Sequence, residues 1–289
     1  MFETVKWLHV EPSTRCNAWC SSCVRNNSGF GLTDFVIEDL KTERLREVIE
    51  MLPNLHTVQF CGNLGDPCAS KIIDNQLSVI KDKKLYLQVH TNGSLRTVDW
   101  WAELAMLFGD KIEVWFAIDG LEDTHAIYRQ ATNWQKIIDN ATAFIQAGGR
   151  AIWQFIPFAH NERQIKDCMR MSNLLGFYRF EFVKNARYRD KHFDYKTGEA
   201  LDIKPWSHHE SQWQKRGGIL DKIQKKIERK TVLEKDCMHL AMPSIFLNAS
   251  GVISPCCYFG QTPLSQNNIS EQIQQKRYQK ICLSSCGSV

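Results

Sequence analysis

The chain of 289 residues is 43% hydrophobic, enough for a large core in one domain with room for a small second one. Its 36 basic and 32 acidic residues give a net charge of only +4, so we expect no nucleic acid as its main partner. No apolar run is long enough to span a membrane, and the start MFETVKWLHV lacks the features of a secretory signal, so we expect a cytoplasmic protein without a membrane partner.

Apolar runs of strand length alternate with helix-like segments through the first two thirds of the chain. Strands are predicted at 5–11, 55–62, 84–90, 111–119, 150–158 and 177–184, and helices at 37–52 and near 70–82, 97–108, 133–147 and 161–175. Strands that alternate with helices indicate parallel βα units. The pattern predicts an α/β protein with a partial (β/α)6 TIM-like barrel, whose chemistry lies at the carboxyl ends of the strands.

The alternation of predicted strands and helices ends after residue 184. We therefore divide the chain into a barrel (1–184), a linker or substrate-covering segment (185–235) and a small C-terminal domain (236–289). In the last part, PSIFLNASGVISPCC predicts a β-hairpin that turns at Gly251, and SEQIQQKRYQKI predicts a helix that begins at Ser270. A domain of about 50 residues has little core of its own and is a candidate for stabilisation by a metal.

The cysteines indicate metal binding. There are 11 of them, an odd number that argues against complete disulfide pairing in a cytoplasmic protein. Cys16, Cys20 and Cys23 lie close together in CNAWCSSC, directly after the first predicted strand. Three thiolates can bind three irons of a [4Fe–4S] cluster and leave the fourth iron open to a small molecule. Zinc is the structural alternative, but no fourth Cys or His lies close by in the sequence.

With this CxxxCxxC motif after the first strand, the chain resembles the radical S-adenosylmethionine (SAM) superfamily. The resemblance implies that Cys16, Cys20 and Cys23 hold a [4Fe–4S] cluster and that SAM occupies the open iron. It also implies SAM contacts in CGNLGDP (61–67), HTNGS (90–94), FAIDGLEDTHAIYR (116–129) and the end of the fifth strand. The residues expected to contact SAM are Gly62, Asn63, Gly65, Asp66, Thr91, Asn92, Asp119, Arg129 and Ile156.

A second set of cysteines lies near the C-terminus. Cys237 and Cys256 flank Gly251 with 13 and four intervening residues, and Cys282 and Cys286 follow. This spacing resembles the opening of SPASM and twitch domains. Four cysteines suffice for one auxiliary [4Fe–4S] cluster, so the resemblance implies a twitch domain. The neighbouring Cys257 is an alternative ligand to Cys256, and zinc bound by the same four thiolates is the alternative metal.

The resemblance predicts a SAM-cleaving enzyme of oxidoreductase-like type. A 5′-deoxyadenosyl radical would abstract hydrogen from a substrate C–H bond, with a flavodoxin or ferredoxin as electron donor. We favour oxidative modification of a peptide or protein. The alternatives are a dehydrogenase of aminocyclitols or carbohydrates, an epimerase in which a thiol donates hydrogen, and a non-catalytic iron–sulfur or zinc protein. The sequence identifies no catalytic side chain. The strand residues Gln59, His90, Gln154 and Glu181 need polar partners if they are buried.

Overall fold

The parallel strands follow one another across one sheet in chain order. The computed structural model describes residues 2–23, 25, 36–183, 191–207 and 244–254. The first six strands each overlap a predicted strand and pair in parallel in chain order, with β3 extending one residue past its predicted end, so the expected α/β class is confirmed. These strands are β1 (Trp7–Val10), β2 (Thr57–Phe60), β3 (Tyr86–Thr91), β4 (Ile112–Ala117), β5 (Arg150–Phe155) and β6 (Arg179–Phe182).

Six α-helices lie between these strands in the described part of the chain. They are α1 (Thr42–Glu50), α2 (Ile73–Asp82), α3 (Val98–Phe108), α4 (Glu122–Tyr128), α5 (Trp134–Gln146) and α6 (Ile165–Leu175). No helix among the described residues has both the length and the apolar character needed to cross a bilayer.

Two helices differ from the prediction. Helix α1 begins later than predicted because residue 40 bonds elsewhere: the Leu40 N–H donates to the Pro12 carbonyl oxygen at 2.9 Å. Helix α4 was not predicted. Its first turn carries Glu122 and Asp123, whose negative charges favour a helix N-terminus.

The two faces of the sheet differ in composition. One face packs with the helices into a single apolar core that contains Leu8, Phe60, Val89, Phe116 and Trp153. Since helices cover one face of a sheet whose strands run in chain order, the winding is that of a partial barrel. Alternate strand residues point to the opposite face, which we call the inner face. The inner face includes Trp7, His9, Gln59, Gln88, His90, Glu113, Trp115, Arg150, Gln154, Arg179 and Glu181.

The hairpin predicted around Gly251 is present and belongs to the same sheet. Strand β9 (Ser244–Leu247) pairs in parallel with β1, and β10 (Ile253–Ser254) pairs antiparallel with β9. Gly251 has φ 83°, the left-handed conformation that glycine adopts readily. The predicted helix near Ser270 and the four auxiliary-cluster cysteines lie outside the described residues.

Part of the predicted linker forms a second hairpin that contacts the cysteine loop. Strands β7 (His192–Phe193) and β8 (Ala200–Leu201) pair antiparallel. The Phe193 N–H donates to the Ser21 carbonyl oxygen at 3.0 Å, and the Ser21 hydroxyl lies 2.7 Å from His192 Nδ1. This hairpin therefore helps to hold the loop that carries Cys16, Cys20 and Cys23.

Candidate functional site

The cysteine loop follows β1 at the carboxyl edge of the sheet. Its backbone bonds to the segment after α4, since the Trp19 N–H donates to the Gln130 oxygen at 2.9 Å and the Ser21 N–H to the Tyr128 oxygen at 3.0 Å. Cys20 is buried, and Cys16 and Cys23 are partly buried. The loop is therefore fixed against the carboxyl end of the barrel rather than projecting into solvent.

Two N–H donors, one after strand β3 and one after helix α4, reach sulfur atoms of this loop. Asn92 follows β3, and its Nδ2 lies 3.9 Å from Cys16 Sγ. Arg129 follows α4, and its Nη1 lies 3.8 Å from Cys20 Sγ. Burial raises the pKa of the Cys16 thiol to about 12, and the nearby carboxylate of Asp66 adds to the effect. Burial therefore disfavours an unpaired thiolate at Cys16.

The guanidinium of Arg129 is held by a buried ion pair. Its Nε donates to Asp119 Oδ2 at 2.7 Å, and Asp119 Oδ1 accepts from the Ile156 N–H at 2.6 Å. Burial acts to lower the pKa of Arg129, but the Asp119 carboxylate outweighs it and raises that pKa well above its ordinary value. The predicted residues Asp119, Arg129 and Ile156 thus form one connected group beside Cys20.

Asp66 connects the loop after β2 to the end of β3. Both its carboxylate oxygens accept hydrogen bonds from Thr91 Oγ1, at 2.9 and 3.0 Å, and one also accepts from the Asn92 N–H at 2.7 Å. Burial raises the pKa of Asp66, while these hydrogen bonds act against that rise. Since its oxygens bond to the protein, Asp66 organises Thr91 and Asn92, and its expected contact with SAM stays a prediction.

The glycines of CGNLGDP let this loop lie directly against the cysteine loop. A Cβ atom on Gly65 would lie 1.9 Å from the Ser13 carbonyl oxygen, and one on Gly62 would lie 2.1 Å from the Gly65 oxygen. The Asp66 N–H donates to the Arg15 oxygen at 2.7 Å. The absence of a side chain at these glycines therefore allows the chain to approach its own backbone closely.

Sequence reasoning missed Glu11, which lies between the two loops. It is buried at the end of β1, and its Oε1 accepts from the Leu64 N–H at 2.6 Å and the Gly65 N–H at 3.3 Å. Burial raises the pKa of Glu11, and these backbone hydrogen bonds lower it. The sequence feature that could have identified it is an acidic residue at the end of an otherwise apolar predicted strand, just before the first motif cysteine. Asn63, one of the predicted SAM contacts, belongs to this same loop.

Sequence reasoning also assigned no role to His125. The fully buried His125 accepts the Asp119 N–H on Nδ1 at 3.1 Å, and its Nε2 lies 3.1 Å from Thr132 Oγ1. The Thr132 hydroxyl donates in turn to the Arg129 oxygen at 2.6 Å. Burial and the charge of Arg129 lower the pKa of His125 to about 3, so the ring is neutral. It supports the ion pair through its hydrogen bonds to the Asp119 backbone and, by way of Thr132, to the Arg129 backbone.

The thiols of Cys16, Cys20 and Cys23 are the type of donor that a [4Fe–4S] cluster uses. Among the described residues, no three Cys, His, Asp or Glu side chains form a group that could hold a metal ion. In a cubane cluster each cysteine binds a different iron, so its ligands do not converge on one atom. Within the same described residues, the buried hydroxyl next to Cys23, that of Ser22, has no hydrogen-bond partner. The sulfur donors and this hydroxyl fit a group bound within the loop.

Comparisons by sequence give one distant relative. No family model matches the chain. Over 119 residues it is 30% identical to a tungsten-containing aldehyde ferredoxin oxidoreductase cofactor-modifying protein of Pyrococcus furiosus. The matched part is 40% of this chain and 32% of that protein, so the chain spans about a third of the length of this relative.

Comparisons by structure give matches that cover more of the chain. The chain resembles Streptococcus suis SuiB bound to S-adenosylmethionine, with a TM-score of 0.62 and 14% identity over 93% of this chain and 64% of SuiB. The match to SuiB bound to the precursor peptide SuiA has a TM-score of 0.61 and covers 65% of SuiB. The match to anSMEcpe with bound AdoMet has a TM-score of 0.50 and 18% identity, and covers 62% of this chain and 50% of that one. At these identities the likeness shows a shared fold.

Proposed function

We propose that the chain is a radical SAM enzyme in which Cys16, Cys20 and Cys23 hold a [4Fe–4S] cluster with SAM on its open iron. The observation that carries the proposal is the pair of N–H donors at the cysteine sulfurs. Asn92 reaches Cys16 and Arg129 reaches Cys20. Hydrogen bonds to the sulfurs of an iron–sulfur cluster are among the features that set its potential. The fold shared with SuiB, which was crystallised with SAM, supports the same proposal.

The chain's own residues would bind and orient. Asp119 and His125 hold the Arg129 guanidinium beside Cys20, where its charge stabilises a thiolate and is available to an anionic ligand group. Asp66 holds Thr91 and Asn92 in place. Held by Cys16, Cys20 and Cys23, the cluster would supply the electron for reductive cleavage of SAM, the chemistry that would generate the radical needed to take hydrogen from a substrate.

We further propose a peptide or protein as substrate and an oxidative outcome. SuiB was crystallised with its precursor peptide SuiA, which supports a peptide here. Cys237, Cys256, Cys282 and Cys286 would hold the auxiliary cluster that accepts the electron left on the substrate. An electron donor of the flavodoxin or ferredoxin type would reduce the SAM-binding cluster.

The test is SAM cleavage by anaerobically reconstituted protein, with 5′-deoxyadenosine and methionine measured by mass spectrometry. We expect slow formation of both without substrate, because a reduced cluster and SAM suffice for uncoupled turnover. Replacing Cys16, Cys20 and Cys23 together by Ala should abolish it. Cys168→Ala is the matched control, since Cys168 is a buried cysteine of α6, in the apolar core. Wild-type protein that holds its clusters and still makes no 5′-deoxyadenosine contradicts the proposal.

Iron content tests the auxiliary cluster separately. Two [4Fe–4S] clusters require about eight irons per chain, and the triple Cys→Ala variant should retain about four. About four irons in the wild type, or stoichiometric zinc, contradicts the twitch assignment while leaving the SAM-binding cluster untouched.

A further inference from the structure

The inner face carries a continuous line of hydrogen-bonding side chains just below the candidate SAM site. Trp7 Nε1 donates to Gln59 Oε1 at 3.3 Å, and Gln59 Nε2 lies 2.9 Å from His90 Nε2. Gln154 of β5 points to the same face and lies beyond β4 from His90. We call Trp7, Gln59, His90 and Gln154 the polar belt. It crosses from β1 to β5, so four strands of the barrel contribute to one surface.

The belt lies close to the sulfur donors. His90 lies on β3 two residues before Asn92, which directly follows the strand, and residues two apart along a strand are about 6.6 Å apart. The indole of Trp115 stacks on the His90 ring with 4.6 Å between centroids and 9° between planes. Trp7, Gln59, His90 and Gln154 are each partly exposed, so none of the four belt residues is completely buried.

The hydrogen bonds fix the protonation state of His90. Because the indole N–H can only donate, it sets the orientation of the Gln59 amide, whose Nε2 must then donate to His90. His90 Nε2 is therefore an acceptor and the ring proton lies on Nδ1. Burial lowers the pKa of His90 to about 3, with a further contribution from the nearby His9, so the ring is neutral at physiological pH.

The charged groups of the inner face are paired with one another. Glu113 pairs with Arg150 at 3.5 Å and with Arg179 at 3.9 Å, near the amino ends of the strands. Arg179 also pairs with Glu181 at 3.0 Å. Among the described residues of the inner face, the side chains at the belt are neutral amides, indoles and an imidazole. A carboxylate or ammonium group brought there would meet no unpaired counter-charge among them to offset its lost hydration.

We propose that the polar belt binds a carboxamide group of the substrate, as in the side chains of Asn and Gln or in a peptide backbone, in preference to a carboxylate. The inference rests on the proposed function, because it takes the inner face to be the side of the barrel that substrate enters. The amides of Gln59 and Gln154 each carry two N–H donors and a carbonyl acceptor, and a carboxamide offers the complementary set. An amide is also neutral and needs no counter-charge.

The experiment compares acetamide with its charged isostere acetate. Protein labelled with ¹⁵N in its nine histidines is titrated with each probe at constant ionic strength, without SAM. The ring ¹⁵N signals of His90 are identified by their loss in His90→Phe and, independently, by their displacement in Gln59→Leu. We expect acetamide to shift these signals at a concentration at least tenfold lower than acetate. Gln135→Leu is the matched control, since Gln135 is an exposed glutamine that bonds to Asp139 at 2.7 Å.

The outcomes are distinct. A response to acetamide that persists in Gln135→Leu and is lost in Gln59→Leu supports the proposal. Equal responses to acetamide and acetate, or no response to acetamide, overturn it. Because the titration uses no SAM and no reductant, a negative result leaves the SAM-cleavage test unaffected. Conversely, acetamide binding in a chain that does not cleave SAM would sustain the belt as a binding site and contradict only the proposed reaction.

Discussion

Replacing Asp119 by Asn tests the buried ion pair beside Cys20. Asp119 is fully buried and accepts hydrogen bonds from Arg129 and from the Ile156 N–H. The amide oxygen of Asn can keep the second bond but cannot compensate the charge of Arg129. Breaking a buried pair costs about 3–5 kcal/mol, and since one bond is kept we expect about 3 kcal/mol. At a urea m-value of about 3 kcal/mol/M, the unfolding midpoint falls by about 1 M.

A matched variant isolates the effect of burial. Asp167 pairs with Arg170 at 3.3 Å, but 55% and 74% of these side chains are exposed. Asp167→Asn makes the same substitution in the same kind of pair, and we expect a loss below about 0.5 kcal/mol. Asp119→Leu combined with Arg129→Met should be more stable than Asp119→Asn, because neither charge is left buried. Equal losses in Asp119→Asn and Asp167→Asn would refute the reasoning.

Three further predictions follow from the site. Arg129→Gln should lower the midpoint potential of the SAM-binding cluster in a titration monitored by electron paramagnetic resonance, because a positive charge is removed beside Cys20, whereas Arg170→Gln should not. The pKa of His125 falls from 6.5 to about 3 on folding, so the stability that neutral His125 confers is lost as pH drops below 6.5, by about 1.4 kcal/mol per pH unit. His125→Gln should show a flatter pH dependence of the urea midpoint, and an unchanged slope contradicts the assignment. Gly65→Ala should cost about 2 kcal/mol and reduce iron uptake because its Cβ meets the Ser13 oxygen, whereas Gly109→Ala, with φ 58° and open space, should cost about 1 kcal/mol and leave iron uptake unchanged.

The strands were predictable because a parallel sheet covered by helices gives each strand an apolar run. In β4, the core residues Val114 and Phe116 alternate in the sequence with residues of the inner face. The short helix α4 was not predictable, because its 7 residues are too few for a helical period of apolar residues to stand out. The position of β9 beside β1 was also not predictable. Parallel pairing between residues 8 and 245 depends on tertiary packing and leaves no local signal.

Only those residues of the candidate site that belong to a recognisable sequence motif were predictable. Cys16, Cys20, Asn92 and Arg129 are identified by type and spacing, and the structure brings them together. Their supporting residues are different. Glu11 and Gly65 meet only because two loops fold onto one edge of the sheet, and no spacing along the chain reports that contact.

The arrangement of charge on the inner face has a consequence for specificity. Ion pairs lie near the amino ends of the strands, and Asp119 and Arg129 form another at the carboxyl edge, with the neutral polar belt between them. Binding at the belt therefore depends on hydrogen bonds rather than on attraction between charges. A partner that leaves one buried donor or acceptor unpaired loses about 1–3 kcal/mol, or about 5- to 150-fold in affinity. An apolar isostere of an amide loses that amount, and a carboxylate loses more, because it gives up its hydration without a counter-charge. A neutral belt can thus reject both kinds of competitor, whereas a site with one fixed positive charge would attract the carboxylate and reject only the apolar isostere.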